Sequence, residues 1–129
     1  MNADITPWQL PPPILMINSG ELHLWRINLH CTRQSVAKNK LLLSNDELIR
    51  AERLLDAQKS SQFVVSRAGL RIILGQYLDT DPKQISLQIN QAGKPSLADL
   101  HCSPLTFNLS HSGQWAVLAI TNGIQVGVD

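Results

Sequence analysis

The stretch Phe107–Asp129, FNLSHSGQWAVLAITNGIQVGVD, carries the pattern that decides the fold. Apolar and polar residues alternate along 105–110, which is typical of a half-buried strand. A second strand follows, with Trp115, Val117 and Ala119 on one face and Ala116, Leu118 and Ile120 on the other. The dipeptide Asn122-Gly123 favours a tight turn into a third strand over 124–128. Successive strands joined by short turns predict an antiparallel sheet.

Two helices are predicted upstream of these strands. Residues 44–47, Ser-Asn-Asp-Glu, match the S-x-x-E capping box, and apolar residues follow at helical spacing. A longer helix is expected from Ser60 to Leu78, ending before Pro82, which restricts the residue ahead of it. Apolar residues surround most of this helix, which predicts that it is largely buried.

Further strands are predicted on both sides of the helices. Residues 21–29, ELHLWRINL, and residues 85–89 have the period of two that strands require. Residues 91–95, QAGKP, are expected to form a turn, and 96–104 a polar connection. Together the elements predict an α+β fold, an antiparallel sheet with helices packed on one face.

Length and composition narrow the class of protein. The 129 residues are 43% hydrophobic and 16% charged, as in a globular domain. A proline-rich lead-in over 1–20 precedes a domain predicted over 21–129. The formal net charge of +1 gives no general attraction to nucleic acid or membranes. Without a signal-peptide pattern, a membrane-length apolar run or a disulfide framework, the cytoplasm is the expected compartment.

Arg67 and Arg71 lie four residues apart on the side of the long helix that also carries much of its apolar surface. Buried cations need partners, because an unpaired buried charge is costly. We expect two structural salt bridges to carboxylates. The alternative is that the two arginines brace an anion site.

Other cationic and polar residues occur in short motifs, each of which has two interpretations. Arg50 and Arg53, three residues apart, are either a solvated helix face or a phosphate contact. Lys94, between Gly93 and Pro95, is either an exposed turn residue or a cation presented on a stiff loop. The adjacent Ser110 and His111 point to opposite faces of a strand, so they are badly placed as a nucleophile and base. Both could still bind a phosphate.

Metal binding has two candidate locations. The dipeptides His30-Cys31 and His101-Cys102 could ligate zinc, but adjacent strand residues diverge, so structural roles are favoured. Asp129 follows Gly127 at the end of a strand, where a magnesium ligand could lie. An ordinary strand-end aspartate is the alternative.

Taken in order, these segments resemble the Sfp-type 4′-phosphopantetheinyl transferases. The resemblance runs from ELHLWRINL through LSNDELIRAERLL and QFVVSRAGLR to QAGKPSL, FNLSHS and VGVD, and covers nearly the whole chain. It implies that the chain is one half of a fold built from two similar α+β halves. The implied reaction transfers 4′-phosphopantetheine from coenzyme A to a serine of an acyl or peptidyl carrier protein, with Mg²⁺ as cofactor.

The resemblance also implies residue roles. Lys94, Ser110 and His111 would bind coenzyme A, Arg50 and its neighbour Arg53 would contact the 3′-phosphate, and Asp129 would be a magnesium ligand. Gln62 departs from the family pattern, because many members have a basic residue there.

The end of the chain departs further from the family pattern. After the GVD motif the family continues to a second acidic residue and then to a helix that carries the general base, so no catalytic residue is assigned here. The chain is expected to have weak or no activity alone, and to self-associate through apolar surface meant for the other half. A non-catalytic module that binds coenzyme A or a carrier protein, and a purely structural domain, are the alternatives.

Overall fold

The computed structural model describes residues 8–123. Within this range the strands are β1 (Leu22–Asn28), β2 (Leu87–Ile89), β3 (Pro95–Leu97), β4 (Leu105–Ser112) and β5 (Trp115–Asn122). The α-helices are α1 (Arg33–Lys40), α2 (Asn45–Arg53) and α3 (Ala57–Leu78). Single 3-10 turns occupy Pro82–Gln84 and Asp99–His101.

The strands form two antiparallel sheets. The larger has the order β1-β5-β4, and β2 and β3 form a separate hairpin. In the larger sheet Leu118 lies opposite both Leu109 and Trp25, so one register aligns the apolar positions of all three strands. The predicted α+β fold with an antiparallel sheet is confirmed.

The core lies between the larger sheet and α3. Leu70 and Leu74 of the helix pack with Phe107, Leu118 and Ile120 of the sheet. The helix approaches β1 closely at Gly69, where an added Cβ would lie 3.0 Å from Ile27 Cδ1. A residue without a side chain therefore lets α3 lie directly on the strand.

The opposite face of the sheet is partly open. Leu22 is 51% exposed and Trp115 is 40% exposed on this face. The guanidinium of Arg26 contacts two indoles, at 5.3 Å from the ring centroid of Trp8 and 4.5 Å from that of Trp115. Cation–π contacts thus attach the lead-in to the sheet, and the helices cover one sheet face, as predicted.

The helix ends follow from local capping. The predicted capping box is confirmed: Glu47 N–H donates to Ser44 Oγ (3.2 Å) and Ser44 N–H donates to Glu47 Oε1 (2.9 Å). Helix α3 begins three residues earlier than Ser60, because Asp56 caps it by accepting from Lys59 N–H. Helix α1 was not predicted. Its N-cap is Thr32, but its sequence has no strong apolar pattern from which a helix could be predicted. In agreement with this, none of its residues is buried.

The segment after α3 differs from the sequence prediction. Ile85 ends a 3-10 turn, with its N–H donating to Pro82 O, and the strand begins only at Leu87. The expected polar connection contains β3, which forms because Pro95 and Leu97 pair with β2. The predicted strand over 124–128 lies outside the described residues. No helix within 8–123 is long and apolar enough to cross a membrane.

Candidate functional site

The loop between β2 and β3 presents Lys94 from a braced backbone. Asn90 Oδ1 accepts hydrogen bonds from the N–H groups of Ala92 and Lys94, both at 2.9 Å. The Asn90 N–H also donates to the Lys94 carbonyl at 3.0 Å. Gly93 has a φ of +84°, a conformation that glycine adopts without steric cost. The loop geometry is therefore fixed by Asn90 and Gly93, and Lys94 extends from it.

A cavity of about 370 Å³ lies where α2, α3, this loop and β4 meet. Arg50, Lys94 and His111, three of the residues predicted to bind coenzyme A, all line it. A Cβ added at Gly93 would lie 3.9 Å from Arg50 Nη1, so the loop closes against α2. We call this space the cationic cavity.

Helix α3 supplies one wall of the cationic cavity through Phe63, Ser66 and Arg67. The guanidinium carbons of Arg50 and Arg67 each lie 5.0 Å from the centroid of the Phe63 ring. Cation–π contacts to the same ring help to position both guanidinium groups and partly offset the repulsion between them.

A buried cluster of charged side chains fixes the relative positions of α2 and α3. Glu47 Oε1 accepts from Arg71 Nε at 2.8 Å, and Glu47 Oε2 accepts from Arg67 Nη1 at 3.3 Å. Arg71 Nη1 also donates to the carbonyl oxygens of Ile85 (2.6 Å) and Pro82 (3.2 Å). The predicted salt bridges of both arginines are confirmed, and a single carboxylate serves both.

The electrostatic character of the cationic cavity is positive. Within the described part of the chain its lining includes Arg50, Arg67 and Lys94 but no Asp or Glu. Burial lowers the pKa of the Arg67 guanidinium, while the carboxylate of Glu47 opposes that shift and the charge of Arg50 adds to it. Such a cavity suits an anionic ligand.

The other predicted site residues lie elsewhere. Ser110 pairs with Val117, and strand alternation puts it on the sheet face opposite His111, outside the cavity lining. Arg53 is exposed at the end of α2 and does not line the cavity either. Asp129 lies outside the described residues. His101 has a structural contact, because its Nε2 accepts from the Ser86 N–H at 2.8 Å.

Lys94 also borders a second groove, of about 830 Å³, between the hairpin and β4. This groove is larger than the cationic cavity, but its lining combines Lys94 with Asp99. Because a carboxylate there opposes the binding of an anion, the cationic cavity is the better phosphate site.

Sequence reasoning missed three parts of the site. Asn90 could have been found, because an asparagine just before a Gly-containing turn often bonds to the backbone that follows. Phe63 and Ser66 gave no such signal, since at helical spacing they are indistinguishable from other residues of a buried face.

Comparison with known proteins identifies the family. A family described as "4'-phosphopantetheinyl transferase, N-terminal" matches residues 30–123, more than half of the chain. The chain belongs to this family. The matched region contains α1–α3 and the cationic cavity, so the site lies within the family domain.

Relatives of this transferase-family chain are named as transferases. It is 40% identical over 123 residues to the 4'-phosphopantetheinyl transferase HetI of Nostoc sp., covering 95% of this chain and 52% of that protein. It is 35% identical over 88 residues to a putative 4'-phosphopantetheinyl transferase of Synechocystis sp., covering 68% of this chain and 36% of that protein. The chain thus spans about half the length of HetI and less of the second relative.

A solved structure shares the fold. The Helicobacter pylori holo-[acyl-carrier-protein] synthase, in complex with coenzyme A, matches with a TM-score of 0.57 and 12% identity, covering 78% of this transferase-family chain and 98% of that chain. At this identity the match supports the architecture alone.

Proposed function

We propose that this chain is the coenzyme A-binding half of a 4′-phosphopantetheinyl transferase. The observation that carries the proposal is the cationic cavity, whose lining among residues 8–123 includes Arg50, Arg67 and Lys94 but no carboxylate. Coenzyme A carries a pyrophosphate and a 3′-phosphate, so it needs a site of this charge. Charged donors form short, strong hydrogen bonds to phosphate oxygens.

In the proposed complex Lys94, Arg50 and His111 contact phosphate oxygens. Their support is their convergence on one cavity from three separate elements. Ser110 and Arg53 stay as predictions with weaker support. Ser110 lies on the other sheet face, so it would reach only a phosphate that extends around the end of β4.

The reaction proposed for the whole protein is transfer of 4′-phosphopantetheine to a serine of an acyl or peptidyl carrier protein. The serine oxygen forms a bond to the β-phosphorus, the bond to the leaving phosphate oxygen breaks, and 3′,5′-adenosine diphosphate departs. The serine proton passes to a general base expected in the other half. The part of this chain is to position the donor and neutralise its charge, so weak or no turnover is expected from it alone.

Magnesium and compartment are also proposals. Among residues 8–123 no group of three or more His, Cys, Asp or Glu side chains could hold a metal ion, and Asp129, the proposed Mg²⁺ ligand, lies outside that range. Cys31 and Cys102 are free thiols, in agreement with the proposed cytoplasmic location.

Coenzyme A binding tests the proposed function directly. By titration calorimetry, Lys94→Ala and His111→Ala are each expected to lower affinity roughly 10-fold or more, because each removes a contact to a charged phosphate oxygen. Lys83→Ala is the matched control for Lys94→Ala, since it removes the same charge from an exposed position outside the cavity. The proposal fails if a folded chain does not bind coenzyme A, or if the three variants bind equally well.

A further inference from the structure

Arg67 is buried, and the described part of the chain satisfies only part of its guanidinium. Its side chain is 7% exposed, and it lines the cationic cavity. Within residues 8–123 its guanidinium makes one hydrogen bond, from Nη1 to Glu47 Oε2, at the long distance of 3.3 Å. In the same range, no protein acceptor is found for its Nε and Nη2 groups. Buried polar groups are normally satisfied, so these donors need an acceptor that this part of the chain does not supply.

The charge balance of the buried cluster also indicates that Arg67 needs an anionic partner. Glu47 contributes one negative charge, whereas Arg67 and Arg71 contribute two positive charges, so the cluster has a net charge of +1. Arg71 is the better satisfied, because it bonds to Glu47 at 2.8 Å and to two backbone carbonyls. The excess charge therefore belongs to Arg67, the arginine that borders the cavity.

The position of Arg67 restricts where a compensating anion could lie. On one side Arg67 borders a cavity of about 210 Å³ whose lining includes Arg50 and Arg71 but also the carboxylates of Asp46 and Glu47, which offset much of the positive charge there and make it the poorer site for an anion. On the other side it borders the cationic cavity, with Arg50, Lys94 and His111. An anion that accepts from Arg67 would therefore lie in the cationic cavity.

We infer that Arg67 is a phosphate-binding residue, which donates from Nε and Nη2 to a phosphate oxygen in the cationic cavity. The inference rests on the proposed function for the identity of the ligand, coenzyme A, but not for the presence of a phosphate. Glu47 then has two roles: it holds Arg67 in place, and it leaves part of the positive charge for the ligand. The phosphate is either the 3′-phosphate or the pyrophosphate.

A purely structural salt bridge is the competing explanation, and Arg71 provides the matched control. Arg67→Gln and Arg71→Gln each remove one positive charge next to the same carboxylate, but Arg71 does not line the cationic cavity. If Arg67 binds phosphate, Arg67→Gln is expected to lower affinity for coenzyme A roughly 10- to 100-fold. Arg71→Gln is expected to change affinity about 3-fold or less while lowering thermal stability. Equal affinity losses in the two variants would overturn the inference.

Binding of three ligands to the chain and its variants separates the possible outcomes. If Arg67→Gln weakens coenzyme A but not dephospho-coenzyme A, which lacks the 3′-phosphate, Arg67 binds the 3′-phosphate; if it weakens both, Arg67 binds the pyrophosphate. If the chain binds inorganic pyrophosphate in an Arg67-dependent way but not coenzyme A, the inference holds and the proposed function fails. If Lys94 matters and Arg67 does not, the proposed function holds and the inference fails. If none of the three ligands binds to the folded chain, the inference and the proposed function both fail.

The unsubstituted protein provides a second measurement in case Arg67→Gln does not fold. The Nε–H resonance of Arg67, assigned by its loss in Arg67→Lys, is expected to shift on addition of coenzyme A, because Nε gains an acceptor. The Nε–H of Arg71 already donates to Glu47 and should shift little. An unmoved Arg67 resonance at saturating ligand would contradict the inference.

Discussion

Replacing Glu47 with leucine is expected to lower the free energy of unfolding by about 3–5 kcal/mol. The carboxylate accepts from Arg67 and Arg71, both of which are buried. Its removal leaves two buried cations without their partner, and it also removes the side chain that completes the capping box at Ser44. Urea denaturation, with the midpoint and the slope fitted together, measures the loss.

The matched control for Glu47→Leu is Glu52→Leu on the same helix. Glu52 is exposed and Glu47 is 6% exposed, so the two variants remove the same charge from opposite environments. We expect Glu52→Leu to change stability by roughly 0.5 kcal/mol or less. If the two variants lose similar amounts, the Glu47 cluster does not hold α2 against α3.

Leu118→Ala is expected to cost about 2–5 kcal/mol, the range for truncating a fully buried leucine. Leu118 is 0% exposed and packs among residues of β1, β4 and α3. The loss includes both the transfer of the removed carbons and the cavity that they leave. Thermal and urea denaturation measure it, provided that the variant keeps the same slope in urea.

Leu22→Ala tests whether one sheet face carries the core. Leu22 belongs to the same sheet but is 51% exposed on the face opposite Leu118. Its truncation is expected to cost roughly 1 kcal/mol or less, because less apolar surface leaves water on folding. A large loss for Leu22→Ala would mean that the outer face is covered in solution, as the expected self-association would require.

The buried cluster of Glu47, Arg67 and Arg71 shares Arg67 with the cationic cavity. Glu47 lies on the same helix as Arg50, and Arg67 lies between the buried cluster and the cationic cavity. A substitution in the cluster is therefore expected to change both stability and phosphate binding. For this reason the affinities of such variants need to be compared with that of Arg71→Gln. This variant is expected to lower stability, but Arg71 does not line the cationic cavity.

Some site residues were predictable from the sequence because their signals are local. The Gly-Lys-Pro loop predicts that Lys94 is presented on a turn, and the loop observed between β2 and β3 agrees. The resemblance to the transferase family pointed to Arg50 and His111, both of which line the cationic cavity. The same resemblance pointed to Ser110, but strand alternation places it on the sheet face opposite His111.

The sequence by itself determined the elements whose causes are local: the capping box at Ser44, the alternation in β4 and β5, and the long buried helix. Periodicity and capping depend on residues a few positions apart, so they can be read along the chain. Only the tertiary structure decided that Glu47 accepts from both Arg67 and Arg71, and that Arg67 borders the cavity with Nε and Nη2 donors for which residues 8–123 supply no acceptor. Those contacts join residues 20 and 24 positions apart, and their pairing depends on how α2 packs against α3.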